Sequence, residues 1–279
     1  MAQAISSFHY RLAHPGYSVF PGAHPGQAVG SGQLFKRHEP LLASPDPRRI
    51  DLRASLLDPF HSYRVRVFQQ HSKLAVYIVA DLSASMRGKL AALADFVQSA
   101  AQSALETGDS FGFIGCGEKI DRHWLLPASQ TMQPVRELAA RLRNFAGRGT
   151  ASSLAQAGSL LPPRRSLVFW VSDGHFSAET LKHSLQPLTA HAVVPLIWWD
   201  EAEYRALPDW GLVRFQDAEN GRGKTLLMRP ALKRRIIASF EQRRLLLKHS
   251  FRAFGMEALF LSGGYRAEAV DRYFLQHTL

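Results

Sequence analysis

Apolar residues along this chain fall into two textures that alternate. Unbroken runs at Leu74–Ala80, Leu167–Val171 and Ala192–Trp199 read as strands covered on both faces. Between them the apolar positions recur at helical spacing. Leu90, Leu93, Phe96, Val97, Ala100, Ala101 and Ala104 predict a helix over 89–105, stopped by Thr107-Gly108. Val135–Phe145, Ser152–Leu160 and Ala178–Leu185 read as helices in the same way. Ser110–Cys116 and His123–Leu126 predict short strands, joined through Gly117-Glu118-Lys119 by a turn short enough for an antiparallel hairpin. Pro195, inside an apolar run, predicts an edge or a bulge. A hairpin follows, with arms at Val213–Phe215 and Thr225–Met228 and its turn at Asn220-Gly221. A long helix over about 229–254, a strand at Leu259–Leu261 and a helix at Ala267–Leu275 complete the pattern. Strands alternating with helices imply an α/β fold: a doubly wound, mostly parallel sheet, here with one antiparallel edge hairpin.

The first 62 residues lack this periodicity. Pro15, Gly16, Pro21, Gly22, Pro25, Gly26, Gly30 and Gly32 punctuate them, and Ala-His-Pro-Gly occurs at 13–16 and 23–26. His14 and His24 read as parts of an irregular arm, not as metal ligands. The expected organisation is an arm over 1–62 lying on the body, an α/β domain over 63–205, and an extension over 206–279 continuing that domain. Ile50, Leu52, Leu56 and Leu57 are the expected apolar anchors of the arm. Tyr63–Phe68 alternates polar and apolar residues, as a half-buried strand does.

Composition narrows the classes. A chain of 279 residues can bury a sizeable core. One cysteine, Cys116, excludes an internal disulfide framework and a cysteine-based zinc site, and reads as a small buried hydrophobe. No apolar run approaches the ~18–20 residues of a membrane span. The first residues lack the pattern of a signal peptide, so a cytoplasmic setting is expected. The net charge of +11 favours adhesion to anionic surfaces at low salt. The cations are scattered, however. Lys233-Arg234-Arg235 and Arg243-Arg244 read as the solvated face of an amphipathic helix, and no nucleic-acid-binding signature is present.

In an open parallel sheet, ligands bind beyond the carboxyl ends of the strands. After the first buried strand comes Asp81-Leu-Ser83-Ala-Ser85, and after another Ser172-Asp173-Gly174-His175. Gly147-Arg148-Gly149-Thr150 precedes the intervening helix. Taken singly, Ser85 and Thr150 are adequate helix caps and Asp173-Gly174 an adequate turn. Taken together, three loops bring hard oxygens to one sheet edge. Hard oxygens with few carboxylates suit Mg²⁺ (or Mn²⁺). Arg87, Lys89 and Arg148 lie in or just beyond these loops, and His175 reads as a residue of the rim. Such a site retains positive charge and favours an acidic partner.

The succession of Asp81-x-Ser83-x-Ser85, Gly149-Thr150 and Ser172-Asp173-Gly174 resembles the metal-ion-dependent adhesion site of von Willebrand factor A domains. That resemblance covers about residues 73 to 200. It implies that Ser83, Ser85 and Thr150 are direct or near-direct ligands, that Asp81 and Asp173 bind directly or through water, and that an open position accepts a partner's carboxylate. Arg48-Arg49-Ile50-Asp51-Leu52-Arg53-Ala54-Ser55 and Asp217-Ala218-Glu219-Asn220-Gly221 are similar to segments of domain-of-unknown-function family 58, with Leu52 in place of a usual tryptophan. This second resemblance implies a chaperone-like role in complex assembly beside a MoxR-type AAA+ ATPase, which, or whose client, would be the partner.

Other chemistries are less well served. Gly221-Arg-Gly223-Lys224-Thr225 resembles the end of a phosphate-binding loop, but position 218 is Ala218 and no helix pattern follows. A hydrolase would pair Ser83 or Ser85 with His175, without a nucleophile elbow or an evident orienting acid. Trp198 and Trp199 read as core. The expected function is Mg²⁺-dependent protein–protein interaction rather than catalysis. A metal-dependent or serine hydrolase, and a basic nucleic-acid-associated protein, are the alternatives.

Overall fold

A computed structural model of the chain describes residues 6–10, 21–30, 34–43, 45–199, 204–216 and 223–277. Its N-terminal part corrects the expectation of an irregular arm. β1 (Pro21–Gly30) and β2 (Leu34–Pro40) flank β3 (Arg64–Ser72) in a three-stranded antiparallel sheet, so the half-buried strand expected near Tyr63 has partners of its own. Pairing with β3 gives these Pro- and Gly-rich segments an extended form that their own propensities do not favour. His14 lies outside the described residues, as does the side chain of His24.

Of the expected anchors, Ile50 is half-buried and bridges Val65 of β3, but the other three are corrected. Leu52, Leu56 and Leu57 are exposed, on and just after the single-turn α1 (Leu52–Leu56). Among the described residues, Phe8 and Tyr10 carry the arm's first segment into the core. The Phe8 ring packs among Phe96, Phe169 and Phe274, and its N–H donates to Ser103 Oγ at 2.8 Å. The Tyr10 hydroxyl donates to the buried Asp109 at 2.6 Å.

The main sheet comprises β4 (Ala75–Asp81), β5 (Ser110–Cys116), β6 (Ile120–Ser129), β7 (Leu167–Ser172), β8 (Ala192–Trp198) and β11 (Leu259–Leu261), in the order β11-β8-β7-β4-β5-β6. All neighbours are parallel except β5 and β6, the expected antiparallel hairpin at the edge. A smaller antiparallel pair, β9 (Gly211–Gln216) and β10 (Gly223–Met228), forms the second expected hairpin; its turn, with Asp217, Glu219 and Gly221, lies outside the described residues.

Two-residue alternation sorts the central strands into two cores. Val76, Ile78, Ala80, Phe169 and Val194 join one with α2 (Leu90–Glu106), α3 (Gln133–Asn144) and α6 (Ala267–Gln276). Tyr77, Val79, Trp170 and Ile197 join the other with a 3₁₀ segment (Ser152–Leu160), α4 (Ala178–Leu185) and α5 (Pro230–Arg252). Burial on both faces is why these strands appear as unbroken apolar runs. Pro195 pairs with β7, and β11 joins β8 only from Leu196 onward, so the proline stands where β8 has one neighbour. Among the described residues, no helix is long and apolar enough to cross a membrane.

Candidate functional site

From β4 the chain turns toward β5 on one side; from β7 it turns toward β8 on the other. Strand order reverses between β4 and β7, where connections diverge and leave a crevice at the carboxyl ends.

Asp81, the last residue of β4, is fully buried. One carboxylate oxygen accepts the Ser83 N–H at 2.8 Å, which serves an amide that has left the ladder; the other accepts the Ser172 hydroxyl at 3.0 Å. Burial, and then the charge of Asp173, push the Asp81 carboxyl up to about 6.

Ser83 is buried and its hydroxyl oxygen lies 3.0 Å from that of Ser85. Neither hydroxyl caps a helix: a 3₁₀ turn over Ala84–Lys89 starts after Ser83 without a side-chain cap bond, and the residue preceding α2 is Lys89. The pair therefore stays clear of the structural role that could have explained it.

The Gly147–Thr150 loop is seated against the Ser83 loop by backbone. The Ala84 N–H donates to Gly149 O at 3.1 Å, and Arg87 Nε to Ala146 O at 2.6 Å. Gly147 has φ of 61°, and a Cβ there would meet Ser83 O at 2.6 Å, so this approach requires glycine. Thr150 is brought to the rim, but its side chain is exposed and its hydroxyl lies 3.2 Å from Ser152 Oγ. Arg87, Arg148 and His175 are exposed around the same loops.

Asp173 follows β7 and is buried. One of its oxygens accepts the His175 N–H at 3.1 Å; the other, Oδ2, is buried without a hydrogen-bond partner. Lys89 Nζ stands 3.9 Å from that oxygen. Lys89 is buried, not part of an exposed basic rim as the sequence suggested. The His175 ring packs near Trp199 and Phe240, and among the described residues it makes no hydrogen bond to Ser83 or Ser85.

Two further residues fix the Asp173 loop, and neither was anticipated. Trp199 donates its indole N–H to the Asp173 carbonyl at 2.7 Å. Arg243, expected on a solvated face of the long helix, instead turns inward from α5 and donates to the carbonyls of Gly174, at 2.8 Å, and Phe176. An arginine next to Arg244 on a helix gives no sign that only one of the two faces inward.

Asp81, Asp173, Ser83 and Ser85 make a donor set that could hold a hard divalent cation. The lone Oδ2 of Asp173 leaves an acceptor unsatisfied at the right place, and the hydroxyl pair is not consumed by caps. Among the described residues no group of three His, Cys, Asp or Glu side chains is gathered for a metal, so any ion here would rely on hydroxyls and water.

Cys116 is buried and its thiol is pushed up to about 12 by burial, as befits a core residue. Trp198 and Trp199 are core residues as well.

No curated protein matches the chain in sequence. Among solved structures it is similar to the conserved hypothetical protein BatB from Bacteroides thetaiotaomicron, at 12% identity over 73% of this chain and 98% of that one, with a TM-score of 0.38. The pilus adhesin SpaC from Lactobacillus rhamnosus GG, in its open conformation, has 13% identity over 73% of this chain and 29% of that one, with a TM-score of 0.41. Proximal thread matrix protein 1 from the mussel byssus has 14% identity over 45% and 38%, with a TM-score of 0.36. Likenesses at this level carry no inference about activity. The family model described as protein of unknown function DUF58 matches residues 48–245, most of the length and all of the site just described, and the chain belongs to that family.

Proposed function

We propose that the chain is a protein–protein interaction module that captures an acidic side chain of its partner through a Mg²⁺ (or Mn²⁺) ion held by Asp81, Ser83, Ser85, Thr150 and Asp173. The observation that carries this reading is Asp173 Oδ2, a carboxylate oxygen buried beside a second buried carboxylate and left without a hydrogen bond. A bound divalent ion would supply a Lewis-acidic position with spare positive charge. The chain's own residues do the rest. Ser172 and the Ser83 N–H orient Asp81; Trp199 and Arg243 hold the Asp173 backbone. Thr150 would have to turn from Ser152 toward the site. Lys89 would counter the Asp173 charge while no ion is bound. Exposed Arg87 and Arg148 speed the approach of an acidic surface. The resemblance within the family favours a MoxR-type AAA+ ATPase, or its client, as that partner.

Affinity capture of such an ATPase with wild type and Asp81→Ala, each with Mg²⁺ and with EDTA, tests the proposal. Capture by wild type in Mg²⁺ alone is expected. Calorimetry with Mg²⁺ alone separates the metal from the partner: equal heats for wild type and the Ser83→Ala/Asp173→Ala double variant would overturn the site.

A further inference from the structure

At the opposite margin of the sheet from β6, β11 has, among the described residues, a partner on one side only, β8. Leu261 O accepts the Trp199 N–H at 2.8 Å, so Leu259 and Leu261 face β8. Backbone alternation then turns the N–H and C=O of Phe260 outward, to the free edge. That edge is the floor of a cleft of about 320 Å³ walled by α5 and α6.

The cleft is strongly basic. Arg244 and Lys248 reach it from α5, Arg266 and Arg272 from α6 and its lead-in, and His277 lines it as well; no described Asp or Glu lines it. The acids of α6, Glu268 and Asp271, fall outside the Ala269–Arg272–Tyr273–Gln276 face that lines the cleft. Among the described residues none of the four Lys and Arg side chains has a carboxylate partner. The Phe260 ring is already occupied by cations, with the Arg244 guanidinium 4.9 Å and Lys248 Nζ 5.7 Å from its centroid. A nucleic-acid base stacking on the same face would have to displace them.

We propose that this cleft docks an acidic, extended segment of a partner protein, which adds as a strand to the outer edge of β11. The edge supplies backbone hydrogen bonds, and the four long cations supply the sign of the sequence that can use them. The same cations keep two copies of this edge apart, because like charges would face each other. The site shares no residue with the Asp81–Asp173 cluster and stands independently of the proposed metal.

The test is fluorescence anisotropy of the full chain, in EDTA, with a fluorescein-labelled peptide of alternating valine and glutamate. Binding that weakens with salt is expected for this peptide, and none for its valine–lysine counterpart. Arg266→Glu/Arg272→Glu, both exposed positions, should weaken binding by at least about tenfold, while Asp81→Ala binds as wild type. Methylating alternate backbone nitrogens of the peptide should weaken it comparably. Equal binding by the double variant, or by the methylated peptide, overturns the proposal. So does tighter binding of a single-stranded oligonucleotide that the double variant loses.

Discussion

Ser172 donates its hydroxyl hydrogen to Asp81 at 3.0 Å, across the boundary between β7 and β4. With the hydroxyl and the N–H of Ser83 this is what a fully buried carboxylate has to offset its desolvation, and Asp173 opposes it. The folded carboxyl therefore titrates near 6, above its unfolded value of 3.8.

The sign of the consequence follows from linkage. A carboxyl raised on folding binds more protons in the native state between these two values, so metal-free stability from Asp81 is full below the lower value and is lost as pH rises through the upper one. Asp81→Asn removes the titration. Urea unfolding in EDTA should show the variant gaining on wild type from pH 4 to pH 7.5, by an amount on the order of 3 kcal/mol. A difference independent of pH would contradict the raised titration of this carboxyl.

Arg243 restrains the Asp173 loop from outside the site. Arg243→Ala should speed hydrogen exchange in residues 174–176 and weaken Mg²⁺ binding severalfold, with the rest of the sheet protected as in wild type. Arg243→Lys should restore little, since both bonds leave the terminal Nη2, and the shorter lysine stem does not carry its ammonium to that position. Exchange mass spectrometry reads the first effect, and calorimetry the second.

The N-terminal tether offers a sharp contrast. Phe8→Ala empties a fully enclosed aromatic site and should cost about 3–5 kcal/mol in chemical denaturation. Leu56→Ala, at an exposed position, should stay within about 0.5 kcal/mol of wild type.

That contrast marks where the sequence could be read. β4, β7 and β8 were legible because a strand covered on both faces has no polar period to confuse it. Leu52, Leu56 and Leu57 mimic the stripe of a docked helix, yet α1 is too short to turn that stripe onto a surface. Phe8 belongs to no periodic segment, and its importance arises from three rings distant in sequence. β1 and β2 take their form from β3, which local propensity cannot convey. In the candidate site, the loops that carry Asp81, Ser83, Ser85 and Asp173 followed from strand order. The direction of the Thr150 hydroxyl, the burial of Lys89 and the inward turn of Arg243 depend on loop and helix orientation, and no spacing encodes those.

Asp81 and Ser172 are 91 positions apart, and the pairing of β4 with β7 that unites them is among the costlier closures of the fold. A chain still emerging from the ribosome carries Asp81, Ser83 and Ser85 long before Asp173 is available. Half a site of this kind has neither the second carboxylate nor the crevice that buries the first. On the proposed reading, partner capture would be confined to finished molecules, and an unfinished or misassembled copy would be excluded by geometry alone.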